Sequence, residues 1–545
     1  MQVVRSVIKK LKNKVKHYMI TGENYIGTKR SAQGSKIFKT FDPVTNTENE
    51  SEFYEASTEE IEKAVALAWK AFICYQDYSG ERKSEFLNAI ADEIEALGDE
   101  LINTYCSESG LPQGRAMGER GRTMFQLRSF ADLVKKGDWV DAHIDTAQPD
   151  RAPLAKPDIR KMMIPLGPVV VFGASNFPLA YSTAGGDTAA ALAAGCPVIV
   201  KSHPMHAGTG ELVASAIIKA AERTGMPEGV FSNLNSSGIE VGVQLVQHPK
   251  VKAVGFTGSI RGGRALYDLA AKREEPIPVF AEMGSVNPVV FLPEALKERG
   301  EALAKTYAGS VTLGTGQFCT NPGLLFGIKG ATLDQFIKRL SEEIVMIEPG
   351  CMLHPNIIGA YNKNKGNALA QKGLKLVSEY EQTIGDNIAR QAVTTVEGAV
   401  FLDNPALHQE VFGPFTMVVQ CQDKEQLEAI ILKLEGQLTG TLIADSNEAN
   451  AFSGVVEALR NRVGRIIFNG VPTGVEVCPS MVHGGPYPAS TDSRFSAVGI
   501  TSINRWVRPF SYQDWPNELL PAALKNENPL GIIRFVNNQL TTDTL

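Results

Sequence analysis

The chain has 545 residues, which is long enough for more than one domain, and its 43% hydrophobic and 21% charged residues are typical of a globular protein. The formal net charge of −6 gives no general attraction to nucleic acid or to an anionic membrane, and no recognised nucleic-acid-binding motif occurs. Seven scattered cysteines without a CxxC pair argue against a disulfide framework and indicate a reducing compartment, so we expect a cytoplasmic protein.

The N-terminal arm, residues 1–18, contains many basic residues and no acidic one. Its apolar residues, beginning with Val4 and Ile8, recur at helical spacing, as in a helix on a membrane surface. The alternatives are a flexible basic arm, or an upstream start with Met19 as the usual one. The arm lacks the apolar segment of a signal peptide, and the central apolar run 188–200 is shorter than the roughly 20 residues that cross a bilayer. We therefore predict no stable membrane insertion.

Residues 57–105 predict two helices, because apolar residues recur there every three or four positions. Ser57 and Glu60 have the spacing of a capping box at the start of the first helix. A further helix is predicted over 121–137.

From residue 161 to residue 291, short apolar segments alternate with helical patterns, and a second α/β region extends from there to about residue 481. Nearly continuous apolar strands joined by helices are typical of a parallel sheet that is covered on both faces. We therefore predict an α/β fold, with ligands at the carboxyl ends of its strands.

Three polar side chains fall where predicted strands end, namely Asn176, Lys201 and Glu282. Each has two interpretations. Asn176 is a turn residue or an amide donor to an oxyanion, Lys201 is a solvated charge or a ligand contact, and Glu282 is a paired structural carboxylate or a general base.

A glycine-rich segment, "FTGSIRGG", lies between a predicted strand and a predicted helix. Backbone N–H groups at a helix start bind phosphate, and glycines such as Gly258 and Gly263 allow a close approach. The segment is not the GxGxxG fingerprint, so the same glycines also fit an ordinary turn.

Cys319 is a lone cysteine in the polar, glycine-rich loop "TLGTGQFCTNPG". It is a small space-filling residue, a metal ligand or a nucleophile. Only eight histidines are present and none has HxxxH spacing, so we expect no metal site.

Six motifs in one order resemble the aldehyde dehydrogenase superfamily over about residues 19–520. The motifs are "SNFP", "VIVK", "FTGS", "AEMG", "GQFC" and "HQEVFGPF". The resemblance implies that Cys319 is the nucleophile and that Asn176, with the Cys319 N–H, binds the oxyanion. It also implies that Glu282 activates the water that hydrolyses a thioester.

The resemblance further implies a Rossmann-like cofactor domain, an α/β catalytic domain and a small β extension. The implied division is a cofactor-binding domain at 19–148 and 165–284, a catalytic domain at 285–482, and an oligomerisation extension with C-terminal tail at 149–164 and 483–545. A homodimer or homotetramer is therefore expected.

The implied cofactor is NADP or NAD. The residues implied in its binding are Lys201, His203, Gly258, Ser259, Gly263, Glu410 and Phe412. NAD-preferring members carry a glutamate where this chain has Pro204, and Lys201 and His203 could pair with a 2′-phosphate, so we favour NADP. A second departure is that Glu282 is followed by Gly284-Ser285-Val286, where the family pattern has Gly-Gly-Lys.

The sequence looks closest to the subgroup that oxidises 2,5-dioxopentanoate, also called α-ketoglutaric semialdehyde, to 2-oxoglutarate. A charged oxo-acid requires a cationic anchor, and Arg122 with Gln126, four positions along a predicted helix, are our candidates for substrate binding. The alternatives are a medium- or long-chain aliphatic aldehyde as the small-molecule partner, and a catalytically silent relative that binds a nucleotide.

Overall fold

The computed structural model describes residues 20–545. The N-terminal arm at 1–18 lies outside the described residues, so both interpretations of it stand as predictions. Within residues 20–545, no helix is both long enough and apolar enough to cross a membrane.

Strands and helices alternate over most of the described chain. The strands, in chain order, are β1 (Asn24–Ile26), β2 (Lys29–Ser31), β3 (Ile37–Asp42), β4 (Thr47–Tyr54), β5 (His143–Asp145), β6 (Ile159–Pro165), β7 (Val169–Phe172), β8 (Val198–Lys201), β9 (Phe231–Leu234), β10 (Ala253–Thr257), β11 (Val279–Glu282), β12 (Val289–Phe291), β13 (Leu324–Ile328), β14 (Lys375–Glu379), β15 (Ala392–Glu397), β16 (Phe415–Cys421), β17 (Gln437–Ile443), β18 (Val463–Phe468), β19 (Val507–Gln513), β20 (Arg534–Val536) and β21 (Gln539–Thr541). The helices are α1 (Thr58–Tyr75), α2 (Gly80–Ala96), α3 (Gly98–Ser109), α4 (Gln113–Lys136), α5 (Gly186–Ala194), α6 (Ala207–Arg223), α7 (Glu240–Gln247), α8 (Ile260–Ala271), α9 (Pro293–Thr312), α10 (Ala331–Val345), α11 (Pro355–Leu369), α12 (Gly398–Asp403), α13 (Lys424–Lys433), α14 (Ser446–Ala451) and α15 (Ser453–Arg460).

The first sheet has the strand order β11-β10-β7-β8-β9-β1-β2. Strands β7 to β11 are parallel, and β1 and β2 extend the edge in the antiparallel sense. Successive side chains of β7 point to opposite faces of the sheet. Val169 and Val171 pack with α2, α4 and α6, whereas Val170 packs with α1 and α7. Both faces of the sheet are therefore buried, which confirms the predicted parallel sheet wrapped by helices.

The second sheet has the order β14-β15-β16-β13-β12-β17-β18 and is parallel except at β14. The apolar segment "IPVFAEMGSVNPVVF" reads as one strand region in the sequence, but the chain divides within it. Strand β11 ends at Glu282 in the first sheet, and β12 begins at Val289 in the second. Between them, Asn287 has φ +47°, a left-handed conformation that interrupts an extended strand. The break places Glu282 where the chain leaves the first sheet for the second.

The helices predicted over 57–105 are α1, α2 and α3 instead of two longer helices. Gly98, with φ +57°, separates α2 from α3, and this conformation favours glycine. The predicted capping box is confirmed. Ser57 Oγ accepts from the Glu60 N–H at 3.2 Å, and Glu60 Oε2 accepts from the Ser57 N–H at 2.8 Å. The helix predicted at 121–137 is the C-terminal part of α4.

The third sheet has the order β19-β6-β5-β20-β21 and joins strands from the middle of the chain to strands near its C-terminus. It includes β5, which precedes the segment 149–164 of the implied extension. Strands β3 and β4 form a separate hairpin.

The segment 483–492, here named the return segment, lies along β11 although the implied division groups it with the tail. The Met283 N–H donates to the Ala489 carbonyl at 2.9 Å, and the Thr491 N–H donates to the Ala281 carbonyl at 3.1 Å. These bonds flank Glu282, so a distant part of the chain borders the end of β11.

Candidate active site

The Cys319 loop begins with a tight turn after α9. Gly314, Thr315 and Gly316 have φ values of 54°, 59° and 65°, so three consecutive residues adopt the left-handed conformation. A Cβ atom on Gly316 would lie 2.3 Å from the carbonyl carbon of Gly413, so only glycine permits this approach of two backbones. The turn therefore brings Cys319 close to the segment that contains Glu410.

The side chain of Asn287 supports the Cys319 loop through hydrogen bonds to its backbone. Its Nδ2 donates to the carbonyl groups of Cys319 at 2.8 Å and of Asn321 at 2.9 Å. Its Oδ1 lies 2.9 Å from Ser285 Oγ and 3.1 Å from Thr439 Oγ1 in β17. Ser285 is one of the residues that depart from the Gly-Gly-Lys pattern. Its hydroxyl helps to orient the amide of Asn287.

Glu282 lies at the carboxyl end of β11 and is 3% exposed. Its Oε1 is 2.8 Å from Nε2 of His483, the first residue of the return segment, and His483 is 1% exposed. The contact has ion-pair distance without hydrogen-bond geometry, so neither carboxylate oxygen has a hydrogen-bond donor within residues 20–545. A buried carboxylate with free acceptor capacity can take a proton from a bound water.

Cys319 is half-buried and its Sγ lies 3.5 Å from His483 Nε2. Burial raises the pKa of the Cys319 thiol well above its usual range, and the charges of Glu282 and Glu410 raise it further. The sulfur, the imidazole nitrogen and a Glu282 oxygen all lie within 4.8 Å of one another. The three side chains come from distant segments of the chain and meet at this point.

Asn176 lies in the loop after β7 and is half-buried. Its Nδ2 donates at 3.0 Å to the carbonyl of Gln317, two residues before Cys319. The loop is fixed by the buried Glu119 of α4, whose Oε1 accepts from the Leu179 and Ala180 N–H groups at 2.8 and 2.9 Å. The structure therefore brings Asn176, Glu282 and Cys319 into one region.

Lys201 ends β8, and its Nζ donates to the Ser236 carbonyl at 3.1 Å. Burial lowers the pKa of Lys201 to about 8. His203 follows, and its Nδ1 accepts from the Met205 N–H at 3.3 Å. Burial, with His206 and Lys201 nearby, lowers the pKa of His203 well below its usual range, so the imidazole is neutral at pH 7 and offers an N–H donor.

Gly258 and Ser259 are exposed between β10 and α8. Ser259 Oγ caps α8 by accepting from the Gly262 N–H at 3.2 Å. Gly263 is also predicted to contact the cofactor, but its environment is unlike that of Gly258 and Ser259. It is buried, and a Cβ there would lie 2.6 Å from Met283 Sδ, so this glycine serves the close packing of α8 on β11.

Glu410 and Phe412 line a cleft together with Phe318 and Asn321 of the Cys319 loop. Burial raises the pKa of Glu410 to about 7, opposed by a hydrogen bond from the Ser285 backbone. An NAD(P) molecule fits these residues. Lys201 stands at the carboxyl edge of a parallel sheet, α8 offers an exposed helix start for pyrophosphate, and Glu410 offers an acceptor beside the cysteine loop.

Arg122 and Gln126 have different environments. The Arg122 guanidinium donates to the Val475 carbonyl and, at 3.3 Å, to Tyr181 Oη, and its charge favours the ionised form of Cys319. Gln126 is 1% exposed, and its Nε2 donates to the Ala180 carbonyl at 3.4 Å. Gln126 therefore supports the backbone at Ala180, whereas the charge of Arg122 acts on the Cys319 thiol.

Sequence reasoning missed His483, Asn287 and Tyr181. His483 carried one signal, because it is a rare histidine next to the glycines and prolines of "VHGGPYPAST". Asn287 before Pro288 also carried one, since asparagine tolerates positive φ. Tyr181 carried none beyond its closeness to Asn176 in the chain.

Comparisons with known proteins identify the family of the chain. The model of the aldehyde dehydrogenase family matches residues 29–496. An alpha-ketoglutaric semialdehyde dehydrogenase 2 of Azospirillum brasilense is 47% identical over 517 residues, which cover 95% of this chain and 98% of the relative. An alpha-ketoglutaric semialdehyde dehydrogenase of Acinetobacter baylyi is 44% identical over 521 residues, which cover 95% and 99%.

Among solved structures, a 1-pyrroline-5-carboxylate dehydrogenase from Thermus with bound NAD superposes with a TM-score of 0.76 at 21% identity, over 94% of this chain and 96% of that chain. This likeness shows the shared α/β fold. Since the family model spans most of the chain and two relatives exceed 40% identity over almost their whole length, the chain belongs to the aldehyde dehydrogenase family.

Proposed function

We propose that the chain oxidises 2,5-dioxopentanoate to 2-oxoglutarate with NADP or NAD, through a covalent intermediate on Cys319. The observation that carries the chemistry is the convergence of the Cys319 thiol, the buried Glu282 carboxylate and the Asn176 amide. The substrate is proposed from the two relatives named above, which are alpha-ketoglutaric semialdehyde dehydrogenases.

In the first half of the reaction, the thiolate of Cys319 forms a bond to the aldehyde carbon and gives a thiohemiacetal. Asn176 Nδ2 and the Cys319 N–H donate to the oxyanion that develops. The amide of Asn176 lies against the Cys319 loop, since its Nδ2 donates to the carbonyl of Gln317, two residues before Cys319. Glu410 and Phe412 would hold the nicotinamide, and a bound NAD(P) would supply the hydride acceptor that converts the thiohemiacetal into a thioester on Cys319.

In the second half, Glu282 takes a proton from a water that attacks the thioester carbon. The carbon–sulfur bond breaks and the Cys319 thiolate leaves. Glu282 suits this step because its oxygens are buried and have no competing hydrogen-bond donor within the described residues.

Cofactor binding is assigned to residues of both sheets. Lys201 and His203 would hold the adenosine ribose, and the backbone at Gly258 and Ser259 would hold the pyrophosphate. Glu410 and Phe412 would contact the nicotinamide ribose and ring. We favour NADP because Pro204 presents no carboxylate to a 2′-phosphate and a lysine stands beside it.

Arg122 is the proposed anchor for the substrate carboxylate, since its buried Nε has no hydrogen-bond partner within residues 20–545. The rival is an aliphatic aldehyde, which the aromatic contacts near the thiol favour. Phe177 lies 5.0 Å from Tyr181 and 5.6 Å from Phe318, measured between ring centroids.

Initial rates of NADPH and NADH formation test these assignments, measured with 2,5-dioxopentanoate and with a long-chain aliphatic aldehyde. We expect the higher kcat/KM with the oxo-acid, and we expect Cys319→Ala to lose at least about a thousandfold in kcat. Cys106→Ala, a half-buried cysteine in α3, is the matched control. A preference for the aliphatic aldehyde would overturn the substrate, and full activity of Cys319→Ala would overturn the chemistry.

We also propose a homo-oligomer in the cytoplasm. Strand β19 lies at the edge of the third sheet and most of its residues are exposed, so it offers unpaired backbone groups to a second copy. The cysteines of the described region are all free, as in a reducing compartment. Light scattering of the wild type and of Phe510→Asp, an exposed residue of β19, measures the assembly: an unchanged multimeric mass in the variant would exclude this edge.

A further inference from the structure

His483 is the residue in closest contact with both proposed reacting groups, and the reaction above assigns it no role. Its Nε2 lies 3.5 Å from Cys319 Sγ and 2.8 Å from Glu282 Oε1. Its Nδ1 has no hydrogen-bond partner within residues 20–545. The residue is fixed from the backbone side, since its N–H donates to Ser496 Oγ at 3.0 Å and its carbonyl accepts from the Ala497 N–H at 2.7 Å.

We propose that His483 is a further catalytic residue, which accepts the thiol proton of Cys319 and so generates the nucleophile. The inference rests on the proposed function, in which Cys319 attacks the aldehyde. It separates two proton transfers that the reaction requires: His483 serves the thiol, and Glu282 serves the hydrolytic water.

The proton balance is closed within the site. The S–H bond of Cys319 breaks and an N–H bond forms on Nε2 of His483, which converts a neutral pair into a thiolate and an imidazolium. The imidazolium then stands between the thiolate and the Glu282 carboxylate, and both anions favour it. When the thioester is hydrolysed, the thiolate leaves next to the same imidazolium, while the proton of the water goes to Glu282. No further acceptor is needed for the thiol.

The surroundings of Cys319 explain why an acceptor is required. Burial and the two carboxylates Glu282 and Glu410 raise the pKa of the thiol, so little free thiolate would form at neutral pH without a neighbouring base. Transfer of the thiol proton to His483 forms an ion pair, so the buried thiolate has a positive charge beside it. The ionisable groups in contact with His483 are Glu282, Cys319 and Tyr181. Asp492 and Arg505 line the same pocket as His483.

The test is the rate of alkylation of Cys319 by iodoacetamide between about pH 6 and pH 9, followed by mass spectrometry of the peptide. His483→Gln keeps a polar side chain that does not accept a proton, and His483→Phe fills the space without a nitrogen. His248→Gln is the matched control, because His248 is another buried histidine, 3.2 Å from a carboxylate oxygen of Glu62.

We expect both His483 variants to be alkylated at least about tenfold more slowly than the wild type at pH 7, with a midpoint at higher pH. His248→Gln is expected to match the wild type. A wild-type rate and midpoint in the His483 variants would overturn the proposal. A uniform decrease at every pH would also overturn it, because a loss of folded protein or of thiol access scales the rate without moving the midpoint.

The assay contains no aldehyde, so it is independent of the substrate assignment. If the enzyme failed to oxidise 2,5-dioxopentanoate and the midpoint still shifted in the His483 variants, the substrate would be wrong and the role of His483 would stand. If the oxidation proceeded and the midpoint did not shift, the reverse would hold.

Discussion

The side-chain amide of Asn287 donates a hydrogen bond of 2.8 Å to the backbone carbonyl of Cys319. Asn287 is fully buried and belongs to the crossover between β11 and β12. The position of the thiol is thus set by the same residue that carries the chain from the first sheet to the second. The amide also contacts Thr439 of β17, so the Cys319 loop is tied to the second sheet through one side chain.

Replacement of Asn287 by alanine should lower the free energy of unfolding by about 2–4 kcal/mol, because two buried carbonyl groups lose their donor. It should also decrease kcat, since the Cys319 loop loses its support. Denaturant unfolding and steady-state rates provide the measurements. Asn287→Gly removes the same hydrogen bonds, but glycine adopts φ +47° without strain. A smaller destabilisation by glycine than by alanine would therefore measure the backbone strain in the alanine variant. Equal stability of wild type and alanine variant would contradict the support role.

Glu282→Gln should separate the two halves of the reaction. The amide cannot take a proton from water, so hydrolysis of the thioester should slow by about 10²–10⁴ while one turnover of hydride transfer continues. Rapid-mixing kinetics should therefore show a burst of NADPH or NADH close to one equivalent per active site, followed by a slow phase. A variant with no burst would mean that Glu282 acts before the thioester forms.

Lys201 should make the binding of NADP sensitive to pH. Burial lowers its pKa to about 8, so the ammonium group is charged below that pH and neutral above it. A 2′-phosphate pairs only with the charged form. The KM for NADP should therefore rise above pH 8, by up to about tenfold per pH unit, while the KM for NAD changes less.

Lys201→Arg is the control for this pH dependence, because a guanidinium stays charged throughout the range. The arginine variant should flatten the rise in the KM for NADP between pH 8 and pH 9. Parallel profiles for NADP and NAD in the wild type would show that Lys201 does not contact the 2′-phosphate.

Arg122→Gln should raise the KM for 2,5-dioxopentanoate about tenfold or more, since a hydrogen bond between charged groups is lost. A neutral aldehyde of similar length should be affected by no more than about twofold. Arg120→Gln is a matched control on α4, because Arg120 donates to the Gly98 carbonyl at 3.2 Å instead of facing the thiol. Equal losses with both substrates would indicate that Arg122 supports the fold through Val475 and Tyr181.

The alternation of strands and helices could be predicted from the sequence, because a parallel sheet buries both faces of each strand. Such strands are continuous apolar segments, as at 169–172. Asn176, Lys201 and Glu282 were readable for the same reason, since each follows or ends an apolar strand. The division between β11 and β12 was hidden in one apolar segment, and only the backbone of Asn287 reveals it.

His483 could not be predicted from spacing. It lies 164 residues from Cys319 and reaches the thiol because the return segment pairs with β11, a contact without a local pattern. Gln126 shows the opposite error. Its helical spacing from Arg122 was read as a shared site, but the two side chains have different partners, and one of them is a backbone carbonyl in the core.

The return segment also sets the time at which the site is completed during synthesis. A ribosome releases Cys319 and Glu282 well before His483, so a growing chain holds a thiol without its nearby imidazole and a strand β11 without the hydrogen bonds from Ala489 and Thr491. Both are completed only when the last part of the chain docks. The contacts around Glu282 and Cys319 are therefore complete only in the finished fold.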